Sequence, residues 1–258
     1  MRSRSVAAST AKQQMLRQLI CSDAPEVALR YQGFCMIAGV DEVGRGALFG
    51  PVVAAAVILP ERTRTLAKAG LRDSKQLTRE QREDLDKRIR RMAIAISIAE
   101  VDAETIDRIN IYQASRMAML LAVQTLATAP DHLLIDAMRI DHPCSQTKLI
   151  YGDSLSLSIA AASVIAKVHR DAMMREFDAL HPGYGLSSHK GYATPAHRRA
   201  LEEHGPTPLH RKSFAPVALA AMTPEEREAA LAQQIDNETL LFTSEDLTDL
   251  TEENGLCL

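Results

Sequence analysis

Two hydrophobic periods alternate along the chain. Met36 to Val40 is a short apolar run that stops at Asp41-Glu42, and Gly44-Arg45-Gly46-Ala47-Leu48-Phe49-Gly50-Pro51 follows it. Val52 to Leu59, rich in Val and Ala, is closed by Pro60. This order predicts two strands joined as a hairpin. Asp73-Ser74-Lys75 falls in a polar loop, and Thr78 is placed to cap a helix over Arg79–Met92 with acids in its early turns. Ala93–Val101 predicts a further strand. Within Asp102–Leu126, Ile106, Ile109, Met117, Leu120, Leu121 and Val123 recur at helical spacing, and Ala129-Pro130 ends the segment. His132–Ile135 predicts a strand that again stops at an acid, Asp136. Lys148–Tyr151 predicts another, beside Gly152-Asp153. Leu155–Leu180 predicts an alanine-rich helix stopped by Pro182-Gly183, and Pro195–His204 a shorter one. Strands first, then helices interleaved with strands, predict an α/β fold with a mixed sheet.

Composition adds limits. The 258 residues are 46% hydrophobic, enough to fill a core, and 24% charged. No apolar run approaches the ~18 residues of a membrane helix, so no membrane partner is expected. Cys21, Cys35, Cys144 and Cys257 are scattered without a CxxC pair. That suggests neither a zinc cluster nor a disulfide framework, and a reduced, cytoplasmic setting is the simplest reading. Residues 1–22 hold Arg2, Arg4, Lys12 and Arg17 and no acid. They read as the start of a basic N-terminal extension over residues 1–35, with a transit peptide as the alternative.

Charge is unevenly placed. The formal net charge is −3, but residues 218–258 hold ten acids against one base, leaving residues 1–217 with 29 bases against 23 acids. The body is therefore +6 and the tail −9, the balance expected of a protein that handles a polyanion. Eight Lys and Arg and six of the eight histidines fall between Lys167 and Lys212, which suggests a phosphate-facing surface. Residues 218–258 read as a flexible acidic tail with one helix over Pro224–Gln234. The tail is expected to compete weakly with DNA for the basic face. Gln233-Gln234 and Leu240-Leu241-Phe242 also resemble, loosely, peptides that dock on sliding clamps.

The chemistry sits on carboxylates. Asp41, Glu42, Asp136 and Asp153 each lie at or just beyond the C-terminal end of an expected strand, the edge where α/β sheets build sites. Such acids repel one another unless a cation lies between them. Oxygen ligands converging from separate strands suit Mg²⁺ or Mn²⁺. Two such ions can activate water and stabilise a leaving alkoxide in phosphodiester hydrolysis. No Walker A sequence, dinucleotide fingerprint or GxSxG elbow competes with this reading.

The segment Gly39-Val40-Asp41-Glu42-Val43-Gly44-Arg45-Gly46 resembles the signature of the type 2 ribonucleases H, in particular bacterial ribonuclease HII. The resemblance continues through Gly50-Pro51 to Leu59, Asp73-Ser74-Lys75, Leu134-Ile135-Asp136 and Gly152-Asp153. It extends to Ser158 through Lys167, Arg170-Asp171, His189-Lys190-Gly191-Tyr192 and His210-Arg211-Lys212-Ser213-Phe214. It spans roughly residues 36–217, the expected catalytic domain with a C-terminal helical, substrate-binding part.

The resemblance implies a ribonuclease H-like fold, with a central mixed sheet flanked by helices. It implies endonucleolytic cleavage of RNA in RNA/DNA hybrids and cleavage 5′ to ribonucleotides embedded in duplex DNA, leaving 3′-hydroxyl and 5′-phosphate. By position it makes Asp41, Glu42, Asp136 and Asp153 ligands of two divalent cations. Gly44-Arg45-Gly46 becomes the loop that senses the ribose 2′-hydroxyl, Tyr192 the ring on the adjacent deoxyribose, and Lys75 a phosphate contact. Ala47 stands where many relatives carry proline. Asp171 is a rival fourth acid, but Lys167 four residues earlier favours a helical ion pair, so Asp153 is preferred. A monomer is expected. The alternatives are another two-metal nuclease of the same fold, an exonuclease or resolvase, and a non-catalytic hybrid-binding protein.

Overall fold

The computed structural model describes residues 19–223, 225–227 and 229. Helix α1 (Ala24–Tyr31) leads into strands β1 (Ile37–Val43) and β2 (Val52–Ile58). After α2 (Arg64–Lys68) and a 3-10 turn at Ser74–Gln76 come α3 (Arg79–Met92) and β3 (Ala95–Val101). Helix α4 (Ala103–Gln124), β4 (His132–Asp136) and β5 (Ser145–Leu149) follow. A second 3-10 turn, Gly152–Ser154, opens onto α5 (Leu157–Leu180). The C-terminal part holds α6 (Leu186–His189), α7 (Pro195–His204) and α8 (Ala215–Ala220).

The expected mixed sheet is present, in the order β3-β2-β1-β4-β5. The hairpin β1–β2 and the β2–β3 pair are antiparallel, whereas β1–β4 and β4–β5 are parallel. The parallel β1–β4 pairing ends at Val40 and Ile135, but β1 runs past the expected stop, so Asp41 and Glu42 stay paired with Ala55 and Ala54 and Asp136 with Leu149, side by side within the sheet. Helix α4 covers one face through Ala38, Val40, Val52, Ala54 and Ala56. Helices α3 and α5 cover the other through Val53, Ala55 and Val57. All seven residues of β2 are buried, and its three alanines keep both helices close to the sheet.

One close approach positions the site. A Cβ on Gly39 would lie 2.1 Å from the Ser158 carbonyl carbon, so the first turn of α5 rests on bare β1 backbone. Side chains from the C-terminal part, with Leu48, Phe49 and Met174, form a separate core at the far end of α5.

Several expectations change. Helix α4 is broken at Asn110 (φ 66), whose side chain accepts the N–H groups of Tyr112 and Gln113 and caps the second half. The apolar spacing runs through this break, which is why it was not visible in the periodicity. Strand β5 starts at Ser145 and stops before Tyr151, which takes a left-handed φ of 58 that no strand continues through. Within the stretch assigned to an N-terminal extension, α1 packs on the sheet through Leu29. Its buried Glu26 accepts hydrogen bonds from Ser156 Oγ (2.6 Å) and the Ser158 N–H (2.8 Å). Residues 1–18 and the clamp-like segment from Gln233 to Phe242 lie outside the described residues. So does most of the helix expected over Pro224–Gln234.

Candidate active site

The four carboxylates come from three elements. Asp41 and Glu42 belong to β1, Asp136 ends β4, and Asp153 sits in the 3-10 turn after β5. Asp41 is 5% exposed. Burial, then Glu42, Asp136 and Asp153, push its pKa well above the carboxylate range, while a hydrogen bond with Ser163 opposes them. Burial raises Glu42 to about 7 against the pull of Arg45, whose Nη1 lies 3.4 Å from Glu42 Oε1. Glu42 Oε2 is buried and has no hydrogen-bond partner among the described residues. Burial and Asp153 raise Asp136, which accepts the Gly152 N–H at 2.7 Å. Burial and Asp73 raise Asp153, opposed by Lys75.

A shared cation suits this arrangement. The donors are all hard oxygens and one is orphaned, as Mg²⁺ or Mn²⁺ coordination requires. Among the described residues, no three or more His, Cys, Asp or Glu side chains are gathered closely enough to hold a metal ion as they stand. The acids instead crowd one edge with little compensation.

The Asp73-Ser74-Lys75 loop reaches this edge. Lys75 Nζ lies 3.1 Å from Asp153 Oδ2 and 3.8 Å from Asp73 Oδ1, with most of its side chain exposed. Burial would lower its pKa, but Asp153, Asp73 and Asp41 outweigh that and raise it. Buried Ser74 is hydrogen-bonded to Ser163 of α5 (2.9 Å), the serine that also meets Asp41. Asp171 stands elsewhere. Lys167 (2.7 Å) and Arg82 (3.9 Å) take its two oxygens, consistent with a structural ion pair.

The glycine-rich loop is held by two arginines for which the motifs suggested no role. Arg170 is fully buried, and its guanidinium donates to the carbonyls of Pro51 (3.2 Å), Lys190 (2.8 Å) and Phe49 (3.0 Å). Its Cζ lies 5.7 Å from the Tyr192 ring centroid, a cation–π distance. Gly44 (φ +92) has no room for a side chain, because a Cβ would meet Arg170 Nε at 2.3 Å. Arg211, also fully buried, donates to the carbonyls of Gly50 (3.0 Å) and Arg45 (2.8 Å). Burial and Arg170 push its pKa down to about 9, so it stays charged at neutral pH.

These contacts bring Tyr192 to the loop. Ala47 bridges Tyr192 in antiparallel fashion, and the Leu48 N–H donates to the Gly191 carbonyl at 2.8 Å. Tyr192 Cε1 lies 4.0 Å from where a Gly46 Cβ would stand. The sequence-expected residues thus fall into two neighbouring groups: the acids with Lys75, and Gly44-Arg45-Gly46 with Tyr192. Arg45 joins them through Glu42.

A family model described as Ribonuclease HII matches residues 38–217. The chain is 55% identical over 231 residues to ribonuclease HII of Koribacter versatilis (strain Ellin345), covering 90% of each chain. It is 50% identical over 208 residues to that of Bacillus subtilis (strain 168), covering 80% of each. Among solved structures it resembles ribonuclease H2 from Pyrococcus horikoshii OT3, with a TM-score of 0.64 at 25% identity, over 72% of this chain and 96% of that one. It also resembles the fold of the structure described as the PCNA:RNase HII complex from Archaeoglobus fulgidus. There the TM-score is 0.60 at 24% identity, over 69% of this chain and 95% of that one.

Proposed function

The chain belongs to the ribonuclease HII family, endonucleases of RNA in RNA–DNA hybrids, and from that premise we propose that Asp41, Glu42, Asp136 and Asp153 hold two divalent cations, Mg²⁺ or Mn²⁺, for cleavage. We further propose that it cuts 5′ to a ribonucleotide embedded in duplex DNA. The observation that carries this reading is the partly compensated acid cluster, with Asp41 raised by burial and by three other carboxylates and Glu42 Oε2 without a partner among the described residues.

Asp41, Glu42, Asp136 and Asp153 would hold the cations, which would supply the charge that acidifies an attacking water and offsets the charge on the leaving oxygen. The four acids fix where that charge is supplied. Gly44 and Gly46 let the backbone approach a ribose closely enough to sense its 2′-hydroxyl, the group that separates RNA from DNA. Arg45 links that loop to the acids. Tyr192 packs against the neighbouring deoxyribose, and Lys75 offers its exposed ammonium to a phosphate. The 2′-hydroxyl is read and not used as nucleophile, so the products carry 3′-hydroxyl and 5′-phosphate.

The test is a duplex DNA with one ribonucleotide, incubated with Mg²⁺, with Mn²⁺ and with chelator. A single cut on the 5′ side, dependent on metal, is expected. Cleavage that survives chelation overturns the metal assignment, and absence of cleavage on this duplex while a long hybrid is cut overturns the embedded-ribonucleotide reading. Tyr192→Ala should lower the rate constant at the single ribonucleotide more than it weakens binding, because misplacing the scissile phosphate costs rate steeply.

A further inference from the structure

The segment Lys190-Gly191-Tyr192 is strained. Lys190 (φ 54) and Gly191 (φ 78) are both left-handed, a conformation that costs a non-glycine residue energy and persists only where the surroundings impose it. Three histidines impose it. The Gly191 N–H donates to His189 Nδ1 (3.2 Å), and His189 Nε2 is 2.7 Å from the Tyr184 carbonyl. His197 Nδ1 is 3.0 Å from the Tyr192 carbonyl, which also accepts the Thr194 N–H at 2.8 Å. His197 Nε2 lies 3.2 Å from His210 Nε2, and the Thr207 N–H donates to His210 Nδ1 at 2.9 Å.

These partners fix every tautomer. A carbonyl only accepts, so His197 carries its proton on Nδ1 and its Nε2 must accept. An N–H only donates, so His210 Nδ1 accepts and His210 Nε2–H donates to His197. The chain therefore runs one way, from Thr207 through His210 and His197 to the Tyr192 carbonyl. His197 and His210 are fully buried, and His189 stacks on His197 with ring centroids 4.4 Å apart. Burial and His189 hold His197 at about 4; burial, His197 and His181 hold His210 at about 3. Phe49 and Tyr184 wall the His210 ring, so protonating either imidazole puts a charge into a buried, largely apolar setting.

We propose that His210 and His197 form a neutral, directional hydrogen-bond relay that positions Tyr192 for cleavage at a ribonucleotide junction. This rests on the reading of Tyr192 as the ring that meets the sugar. The histidines touch no substrate; they act through the Tyr192 backbone. They lie outside the acid cluster, so their loss should spare metal binding.

Kinetics on the single-ribonucleotide duplex test the relay. His197→Leu removes the donor to Tyr192 and should lower kcat about tenfold with substrate affinity changed less than about twofold. His197→Asn, whose amide N–H can replace Nδ1–H, should recover most of the loss. Unchanged kcat in folded His197→Leu, or no difference between Leu and Asn, overturns the relay. If Tyr192→Ala has no effect, the tyrosine reading fails instead, so the two failures separate. Nitrogen-detected NMR of the unmutated protein needs no variant to fold. It should find His197 protonated on Nδ1 and His210 on Nε2 at neutral pH, and the opposite tautomers or charged rings overturn the proposal.

Discussion

Two adjoining regions of the molecule carry opposite surpluses of charge. At the sheet edge, burial and then neighbouring carboxylates raise the pKa of Asp41, Glu42, Asp136 and Asp153, relieved in part by Arg45 and Lys75. Beneath the glycine-rich loop, Arg170 and Arg211 are fully buried and bonded to backbone carbonyls. Burying charge is costly unless partners compensate it. Arg170 finds its partners inside the protein, and Arg211 finds them for all but Nη2, which has none among the described residues; the result is a fixed loop. The acids find fewer, and the result is a demand for a ligand. Crowded carboxylates mark the chemistry, whereas guanidinium groups bonded to backbone mark the frame.

The sharpest way to break this contrast is to neutralise one acid. Asp41→Asn, Asp136→Asn and Asp153→Asn should each lower cleavage by about a thousandfold, the rate equivalent of the several kcal/mol a catalytic cation supplies. The metal-free variants should unfold in urea no earlier than the parent, because a like charge has gone. Loss of stability in step with loss of activity would make the acids part of the frame.

Arg170→Met attacks the frame. It strands three carbonyls, and each stranded buried acceptor costs about 1–3 kcal/mol, so unfolding should be easier by about 3 kcal/mol or more. A loss below about 1 kcal/mol in urea titration would remove the arginine from its place at the centre of the loop. Metal separates the regions again. At 10 to 100 times its dissociation constant, Mn²⁺ should stabilise the protein by about 1.4–2.7 kcal/mol by mass action. Folded Arg170→Met should gain the same increment and Asp41→Asn much less, read as shifts in melting temperature.

The smallest effect is on pH. The unfolded chain takes up protons on histidine near pH 6.5, but His197 and His210 in the folded protein do so only near 4 and 3. The unfolded state therefore binds more protons between these values. Stability supplied by the pair is present above about 6.5 and declines as pH falls toward 3. His210→Gln, which has no such proton to take up, should flatten that part of the urea-midpoint profile relative to the parent.

Four of the five strands were legible because they are apolar runs bounded by Gly, Pro or acids, and the same boundaries exposed Asp41 and Asp136; β5, Ser145–Leu149, is mostly polar, so its start was missed. The Asn110 break was hidden because apolar spacing continues across it. Helix α1 was hidden because its key side chain, Glu26, is an acid buried by partners 130 and 132 positions away. Arg170 did leave a trace. Counted in steps of four along α5, it falls between buried Ala166 and Met174, so helical phase places it on the inner face. What phase could not reveal is that its partners are backbone carbonyls from two distant loops.

Helix α5 packs directly on Gly39, and the acids it encloses come from positions 41, 42, 136 and 153. During synthesis these residues leave the ribosome in that order. A nascent chain can pair β1, β2 and β3 and dock α4 before Asp136 and Asp153 have left the ribosome. When Asp153 emerges, the helix that closes the layer over β1 has still to follow it out, and Tyr192 comes some forty residues later still. An incomplete chain, or one truncated before α5, therefore holds no assembled nuclease, and the activity begins only when nearly the whole domain has been translated and folded.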